Sequence, residues 1–449
     1  MDTADLRIAV VGAGPAGMAA ALRLHAAGAA VTVFEAASGV GGRTRSDSVD
    51  GWRIDPAVQL YGSAYPVFRR SLRAAGAEGL LARSPGRDAL WRKGRAHEVV
   101  YGSPTSMLAS GALPLSLKLK MGAKYLPFLQ RHSAELDLAA LERAAAAGMD
   151  RESIAAWGRR ELGGDFVDLL AAPLLATLYG TEPGEASAGF YHALARQGLS
   201  LEVQALRGGA DGFCRAAADV LAKAGAPVRL STAVTGVNVA DDGVRVLGDG
   251  WSENFGAAVV AVPAPTALRI ANFLTPDVVK ALSGVRVRPA ASLALLLDRP
   301  VGVGWFGLSF GAGEARNVAT VCIEENKVAG LVPPGKGLAV VFALPHAAER
   351  LAGASADEAA ALLMPDVARV LPRLPSSVVR SRLYTWAEGW TVFGPGALGR
   401  LPSLRAAAWD AAPRAVLAGD YLYAPTVEGA VTAGHAAADR LLARVRSRS

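Results

Sequence analysis

The N-terminal segment contains the pattern that most constrains the fold, a glycine-rich turn between a buried strand and a helix. The apolar run Arg7–Val11 predicts a short buried strand, and the Ala- and Leu-rich run Met18–Ala27 predicts a helix. A second apolar strand, Ala30–Phe34, follows and ends at Glu35. The turn holds three glycines with the spacing G-x-G-x-x-G: Gly12, Gly14 and Gly17. The whole pattern is typical of a parallel α/β sheet that binds a dinucleotide.

Each part of this pattern has a mechanical role in dinucleotide binding. Gly12 permits the tight turn, Gly14 lets the main chain approach a pyrophosphate, and Gly17 lets the helix pack on the strand. The helix N-terminus supplies N–H groups and a positive dipole to the phosphates. Glu35 lies where a carboxylate accepts both ribose hydroxyls and repels a 2′-phosphate, which disfavours NADP. The predicted cofactor-binding residues of this segment are Gly12, Gly14, Pro15, Ala16, Gly17, Glu35 and Ala36.

A second glycine cluster, Ser38–Thr44, follows directly after the acid. Gly41 and Gly42 bring the main chain close to the same diphosphate, and Arg43 offers a cation near its charge. The sequence from Glu35 through this cluster resembles the FAD-binding segment of a flavoprotein group that includes flavin amine oxidases, protoporphyrinogen oxidases and phytoene desaturases. The resemblance implies FAD as the cofactor, with the loop along its pyrophosphate. A simple NAD dehydrogenase has no counterpart of this loop.

The other end of the chain contains a segment similar to the closing FAD motif of the same group. A carboxylate after the buried strand at 415–418 can hydrogen-bond a ribityl hydroxyl. The helix that follows can aim main-chain N–H groups at the flavin N1/C2=O edge, where reduction places negative charge. The residues predicted to bind the cofactor here are Gly419, Asp420, Glu428, Gly429 and Ala430. The resemblance also implies that Val234 contacts the adenine through its main chain.

These observations predict an α/β fold with a Rossmann-type FAD-binding domain that is discontinuous in sequence. The chain leaves this domain for an inserted α+β substrate-binding domain and returns to it twice. The predicted boundaries assign residues 1–95, 206–265 and 386–449 to the FAD-binding domain. Residues 96–205 are predicted to form the helical part of the substrate domain, and residues 266–385 its sheet part.

Three further segments resemble the protoporphyrinogen oxidase branch of the group: Glu152–Gly163, Pro173–Tyr179 and Gly208–Phe213. Amine oxidases of the group usually have a Tyr of an aromatic cage where this chain has Thr426. They usually also have a Lys on the strand matching Pro289–Leu295, which contains none. The favoured interpretation is a protoporphyrinogen or coproporphyrinogen oxidase-like enzyme. A flavin amine oxidase, a carotenoid-type desaturase and a non-catalytic binding protein of the GDP-dissociation-inhibitor type are the alternatives.

Catalysis in this class needs little acid–base chemistry, because the flavin accepts a hydride and the protein orients the substrate. The candidate pocket-wall residues are Tyr61, Trp386, Trp390, Phe393 and Thr426. Ala57 departs from the pattern of the group, which has a glycine at this position close to the isoalloxazine. The expected partners are an apolar small molecule, such as a porphyrinogen, and oxygen or a quinone as the electron acceptor.

Composition disfavours several other classes of protein. The chain has 449 residues and a net charge of +7, but its cations are scattered among acids, unlike the basic tracts of nucleic-acid-binding proteins. Six scattered histidines do not favour a metal centre. Two cysteines do not favour a disulfide scaffold, and they fit a reducing, cytoplasmic location. Cys214 and Cys322 lie away from Trp390–Gly396, where the group attaches flavin covalently, so the FAD is expected to be non-covalent.

One basic amphipathic segment, Leu113–Leu129, interleaves leucines with Lys118, Lys120 and Lys124. No apolar run in the sequence has the roughly 20 residues that a membrane-spanning helix needs. The segment is interpreted as a solvated helix face over the core, as a peripheral contact with the inner face of a membrane, or as a receiver of a greasy, carboxylate-bearing substrate.

Overall fold

The computed structural model of the protein describes residues 6–100 and 103–446. The strands are β1 (Arg7–Val11), β2 (Ala30–Phe34), β3 (Asp47–Val49), β4 (Trp52–Ile54), β5 (Tyr61–Gly62), β6 (Leu81–Arg83), β7 (Arg87–Arg92), β8 (Arg95–Val100), β9 (Val203–Leu206), β10 (Val228–Arg229), β11 (Val234–Val239), β12 (Val244–Gly248), β13 (Trp251–Phe255), β14 (Ala257–Val260), β15 (Arg286–Leu297), β16 (Gly307–Phe310), β17 (Val318–Ile323), β18 (Gly337–Ala343), β19 (Val378–Val392) and β20 (Ala415–Leu417).

The helices are α1 (Pro15–Ala26), α2 (Pro66–Ala74), α3 (Pro104–Ala109), α4 (Leu115–Lys120), α5 (Leu126–Arg131), α6 (Glu142–Ala146), α7 (Ile154–Glu161), α8 (Gly164–Phe166), α9 (Ala172–Tyr179), α10 (Ala188–Gly198), α11 (Gly212–Lys223), α12 (Ala264–Ile270), α13 (Pro276–Ser283), α14 (Pro345–Arg350), α15 (Ala356–Val370), α16 (Ala397–Asp410) and α17 (Val427–Arg446).

β1 lies at the centre of a five-stranded parallel sheet with the order β10-β2-β1-β14-β20. Ile8 and Val10 of β1 face a core formed with α1, α11 and α17, whereas Ala9 and Val11 face a core formed with α12, α13 and α16. Helices therefore cover both faces of the sheet, as buried parallel strands require. The strands come from distant parts of the chain, and the predicted α/β fold with a discontinuous Rossmann-type domain is confirmed.

A seven-stranded mixed sheet with the order β19-β15-β18-β17-β16-β7-β8 forms a second layer. One of its faces packs against α14 and α15, and the other packs against the hairpin β3–β4. In this second contact the indole of Trp52 donates to the carbonyl of Gly337 at 2.9 Å. The mixed sheet is therefore joined directly to the segment that follows the second glycine cluster.

Two predicted domain boundaries fall inside the mixed sheet. The boundary at residue 95 separates β7 from its antiparallel partner β8, and the boundary at residue 385 divides β19. Pairing with chain segments more than 200 positions away places β7 in this sheet, next to β16. Both β7–β8 and the whole of β19 therefore belong with the mixed sheet, and these two boundaries need correction.

Helices α3 to α10 pack around a third core in which aromatic rings surround Tyr125. The Tyr125 hydroxyl lies 3.1 Å from Nδ1 of His192, and burial lowers the pKa of His192 to about 3. His192 is therefore a neutral packing residue at physiological pH. Among the helices of the described residues, none combines the length and apolar character needed to cross a bilayer.

Helices α1 and α17 approach each other through main chain. A Cβ atom added to Gly434 in α17 would lie 2.1 Å from the carbonyl oxygen of Ala16 in α1, inside the van der Waals contact distance. Glycine at this position therefore sets how closely the C-terminal helix packs beside the glycine-rich turn.

We predict that Gly434→Ala lowers the free energy of unfolding by about 1–3 kcal/mol, because the added methyl group forces the two helices apart. Urea unfolding followed by circular dichroism measures the change. Gly198→Ala is the matched control, since that helical glycine has no atom within 4 Å of the added Cβ and alanine favours helix. Equal stability of Gly434→Ala and the wild type would contradict the role given to this contact.

Candidate functional site

Two of the predicted glycines are required by the fold of the turn itself. Gly12 has φ of +101°, and a Cβ atom there would lie 2.5 Å from the carbonyl oxygen of Ala261. A Cβ atom on Gly17 would lie 1.8 Å from the carbonyl oxygen of Gly12. Both positions bring α1 close to the ends of β1 and β14, which is the packing role predicted for them.

Gly14 differs from these two because it faces open space. A Cβ atom on Gly14 would have its nearest neighbours at 4.0 Å, the Gly41 carbonyl oxygen and the Gly42 Cα. Gly42 has φ of +53°, and the Gly41 amide donates to the Ala13 carbonyl at 2.9 Å, which holds the two glycine loops together. The protein therefore has room for a side chain at Gly14, so packing within the protein does not require glycine at this position.

The two loops also supply unpaired main-chain donors. The N–H groups without an acceptor within the described residues include those of Ala16, Gly17, Gly42 and Arg43. The first turn of α1 contains no acidic residue. N–H groups, a helix N-terminus and a guanidinium form a cradle that fits the charge of a diphosphate. We call the space between Gly14 and Gly42 the glycine cradle.

Glu35 joins the cradle to the next part of the site. Its Oε2 accepts the Ala13 N–H at 2.7 Å and its Oε1 accepts the Ala37 N–H at 2.9 Å. A carboxylate has about four acceptor sites, so each oxygen keeps capacity for a ribose hydroxyl. The Thr232 amide donates to the Glu35 carbonyl at 2.8 Å, and this contact brings the segment that leads to Val234 alongside. Ala36 is exposed between these groups.

Arg43 and Asp420, predicted separately as cofactor-binding residues, form a bidentate ion pair. The two guanidinium nitrogens donate to the two carboxylate oxygens of Asp420 at 2.8 and 2.9 Å. Thr391 of β19 donates its hydroxyl to Asp420 at 3.1 Å, and Arg43 also donates to the Gly389 carbonyl at 3.4 Å. The pair joins residues that lie 377 positions apart and orients both side chains at the edge of the cradle. No sequence signal pointed to Thr391.

The N-terminus of α17 uses its predicted residues differently from the expectation. The Gly429 N–H donates to the Thr426 hydroxyl at 3.0 Å and the Ala430 N–H donates to the Thr426 carbonyl at 3.0 Å, so both donors are already used. The N–H groups of Val427 and Glu428 have no acceptor in the part of the chain that the structure describes. These two amides, and not those of Gly429 and Ala430, are the donors available to a cofactor.

The carboxylate of Glu428 caps another helix. Its two oxygens accept the N–H groups of Val67 and Phe68 at 2.9 and 2.8 Å, in the first turn of α2. Burial raises the pKa of Glu428, whereas the two hydrogen bonds lower it. The side chain therefore anchors α2 to α17.

The candidate pocket-wall residues fall into two groups. The ring of Tyr61 stacks on Phe68 at 4.7 Å and its hydroxyl donates to Ala210, while the ring of Phe393 packs on Phe190. Both rings are buried in the hydrophobic core, and Phe393 also lines a small pocket with Leu401 and Tyr421. The other group, Trp386 and Trp390, lies on β19 on either side of Gly389, whose carbonyl accepts from Arg43. The ring of Trp386 stacks on Tyr384, and the ring of Trp390 lies against Gly180.

Ala57 fits its position without strain, since its φ is not in the left-handed region. The carbonyl of Pro56 accepts the hydroxyl of buried Ser292 at 2.6 Å, which ties this stretch to β15. The replacement of glycine by Ala57 therefore leaves the backbone of this stretch undistorted.

We predict that Gly14→Ala changes the stability of the FAD-free protein by no more than about 1 kcal/mol, because the added methyl group meets no atom closer than 4.0 Å. The same change weakens FAD binding by roughly tenfold or more, because the methyl group fills the cradle. Titration of the FAD-free protein with FAD, followed by flavin fluorescence, measures the binding. Gly17→Ala is the contrasting variant and loses stability before any ligand is added. Unchanged FAD affinity of Gly14→Ala would exclude the glycine cradle as the diphosphate site.

Comparisons with known proteins agree with this geometry. The model of the family described as flavin containing amine oxidoreductase matches residues 15–442. A zeta-carotene-forming phytoene desaturase from Myxococcus xanthus is 45% identical over 77 residues, which is 17% of this chain and 14% of the desaturase. The chain thus matches only a small part of the length of that relative.

Solved structures share the whole fold. A candidate protoporphyrinogen oxidase from Exiguobacterium sp. 255-15 superposes with a TM-score of 0.76 and 15% identity, over 98% of this chain and 99% of that one. Cyclohexylamine oxidase from Brevibacterium oxydans IH-35A gives a TM-score of 0.76 and 19% identity, over 98% and 100% of the two chains.

The family match covers nearly the whole chain, from the first residue of α1 to within α17. The chain therefore belongs to the flavin-containing amine oxidoreductase family, and it is an oxidoreductase that uses FAD.

Proposed function

We propose that the protein removes a hydride from an apolar, carbon-rich substrate of the protoporphyrinogen or coproporphyrinogen type. The observation that supports this proposal best is the position of Thr426. Amine oxidases that the sequence resembles have a Tyr of an aromatic cage there, whereas Thr426 caps α17 through its hydroxyl. A threonine has no aromatic ring that could pack beside an amine. The site therefore favours a substrate that is bound through apolar contacts.

The strand β15 supports the same proposal. Its stretch Pro289–Leu295 contains no lysine, although amine oxidases of the group usually have one there, linked by water to flavin N5. The polar side chain within this stretch is Ser292, and its hydroxyl is used to hold Pro56. This chain therefore lacks two of the groups by which an amine oxidase would be identified.

Bound FAD would supply the hydride acceptor, and the chain supplies binding and electrostatics. The glycine cradle would hold the diphosphate, and the Arg43–Asp420 pair would orient the groups beside it. The N–H groups at the start of α17 would favour negative charge on the edge of a reduced flavin bound near them. A flavin amine oxidase and a carotenoid-type desaturase are the alternative functions, and either oxygen or a quinone is proposed as the acceptor.

We predict that a porphyrinogen reduces the bound flavin in the absence of oxygen, because the site lacks the aromatic cage and lysine that suit amines. Loss of flavin absorbance in anaerobic stopped-flow mixing measures the reaction. Primary amines and linear polyenes form the rest of the substrate panel. Reduction by an amine with none by porphyrinogens would overturn the proposal in favour of an amine oxidase, and reduction by a polyene alone would favour a desaturase.

The basic segment Leu113–Leu129 supports a second proposal, peripheral contact with an anionic membrane surface. The structure divides this segment into α4, a π-helical turn at Met121–Tyr125 and α5. Leu115 and Leu119 are 71% and 64% exposed, whereas Leu117 is buried. Lys120 and Lys124 are exposed on the same segment. Exposed leucines beside lysines are the combination that favours an anionic lipid surface.

We predict that the double variant Leu115→Ser and Leu119→Ser binds vesicles containing phosphatidylserine several-fold more weakly than the wild type, because apolar insertion is lost. Vesicle cosedimentation measures the bound fraction. Val379→Ser, which changes another exposed apolar residue on β19, is the control and leaves binding unchanged. If the wild type itself stays in the supernatant, the segment is a solvated helix face.

A further inference from the structure

A lysine with no exposed side-chain surface lies between the mixed sheet and the loop that follows β4. The Nζ of Lys327 lies 2.7 Å from Oδ2 of Asp55 and 2.7 Å from Oε1 of Gln59, and it also contacts the carboxylate of Glu324. The side chains of Lys327 and Glu324 are 0% exposed and that of Asp55 is 2% exposed. Burial of three ionisable groups is costly, and charged groups persist in the interior only when they are paired.

Asp55 connects this lysine to the cofactor side of the protein. Its Oδ1 accepts the hydroxyl of Ser46 and the N–H of Ala210, the latter at 2.8 Å. Ser46 follows Arg43 by three positions, in the loop that forms one wall of the glycine cradle. One carboxylate therefore holds three chain segments together, and the cation that neutralises it comes from the mixed sheet.

The stretch after Asp55 is held by the same groups. Gln59, which accepts from Lys327, donates its amide to the main-chain carbonyl of Asp55. Pro56 is held by Ser292 of β15. The main chain from Asp55 to Gln59 is thus fixed by Lys327 at Gln59 and by Ser292 at Pro56. The Ser292 contact connects the stretch to β15.

We propose that Lys327 is a positioning residue of the FAD site, which holds Asp55 and through it the Ser46 loop beside the glycine cradle. The role depends on FAD binding to the cradle and not on which substrate is oxidised. Removal of the ammonium would leave Asp55 buried without a cation and would release the loop from the mixed sheet.

The cluster contains two carboxylates, Asp55 and Glu324, but one cation, Lys327. Because of this extra negative charge, the contact between Lys327 and Asp55 depends on pH. The pKa of Glu324 is raised to about 7, because burial, Asp55 and Glu325 raise it more than Lys327 lowers it. Cys322 and Asp88 are the other titratable groups near this cluster, on β17 and β7. The Oε1 atom of Glu324 has no hydrogen-bond partner among the described residues. Because the folded-state pKa is raised, the stabilisation is present when Glu324 is protonated and is lost as the pH rises through about 7.

The first test compares Lys327→Met with Arg380→Met. Arg380 also joins the mixed sheet to the β3–β4 hairpin, through an exposed ion pair with Asp50 at 2.6 Å, so it is the matched control. We expect Lys327→Met to raise the dissociation constant of FAD about tenfold or more and Arg380→Met to leave it within about twofold. Fluorescence titration of the FAD-free proteins measures both. A folded Lys327→Met protein with the FAD affinity of the wild type would overturn the proposal.

The second test uses Glu324→Gln and remains informative if Lys327→Met does not fold. This change keeps the shape of the cluster and the Lys327–Asp55 pair but removes the titrating proton. We expect the FAD affinity of the wild type to fall several-fold between pH 6 and pH 8.5, and that of Glu324→Gln to change less over the same range. Identical pH profiles for the two proteins would overturn the proposal, because a cluster that only stabilises the core would not alter FAD binding in this manner.

Discussion

Direct contact of main chain with main chain around α1 is the constraint on which the rest of the structure depends. Cβ atoms on Gly12, Gly17 and Gly434 would each lie within 2.5 Å of a carbonyl oxygen. Because no side chain separates these elements, α17 lies beside the first turn of α1 and both helices lie against the parallel sheet. The two ends of the described chain thereby meet at one edge of the sheet, and a site made from both becomes possible.

Local patterns in the sequence were sufficient to predict the parts of the site that the chain builds from neighbouring residues. The glycine turn after β1 and the acid after β2 both have the predicted form. Each depends on positive φ, apolar periodicity or turn chemistry within a few residues. The same kind of signal separated the glycines that the fold requires from Gly14, whose space is open.

Contacts between distant segments were beyond the reach of such patterns. The motif E-G-A at the start of α17 was recognised, but the Glu428 side chain caps α2, and the free N–H groups are those of Val427 and Glu428. Lys327 gave no signal at all, since one lysine among scattered charges looks like a surface residue until the fold buries it. Strands β7 and β8 were likewise misplaced, because β16, the partner that joins β7 to the mixed sheet, lies more than 200 positions further along the chain. In each of these cases, a contact between segments far apart in the sequence determines where the residue or strand lies.

The order of the segments in the parallel sheet has a consequence for how the protein is made. The glycine cradle belongs to the part of the chain that leaves the ribosome early, whereas β20, Asp420 and α17 are synthesised more than 370 residues later. During that interval Arg43 lacks its partner carboxylate, and β14 lacks a neighbour on one side. The paired arrangement of Arg43 and Asp420 beside the glycine cradle therefore forms only after β20 and Asp420 have been synthesised.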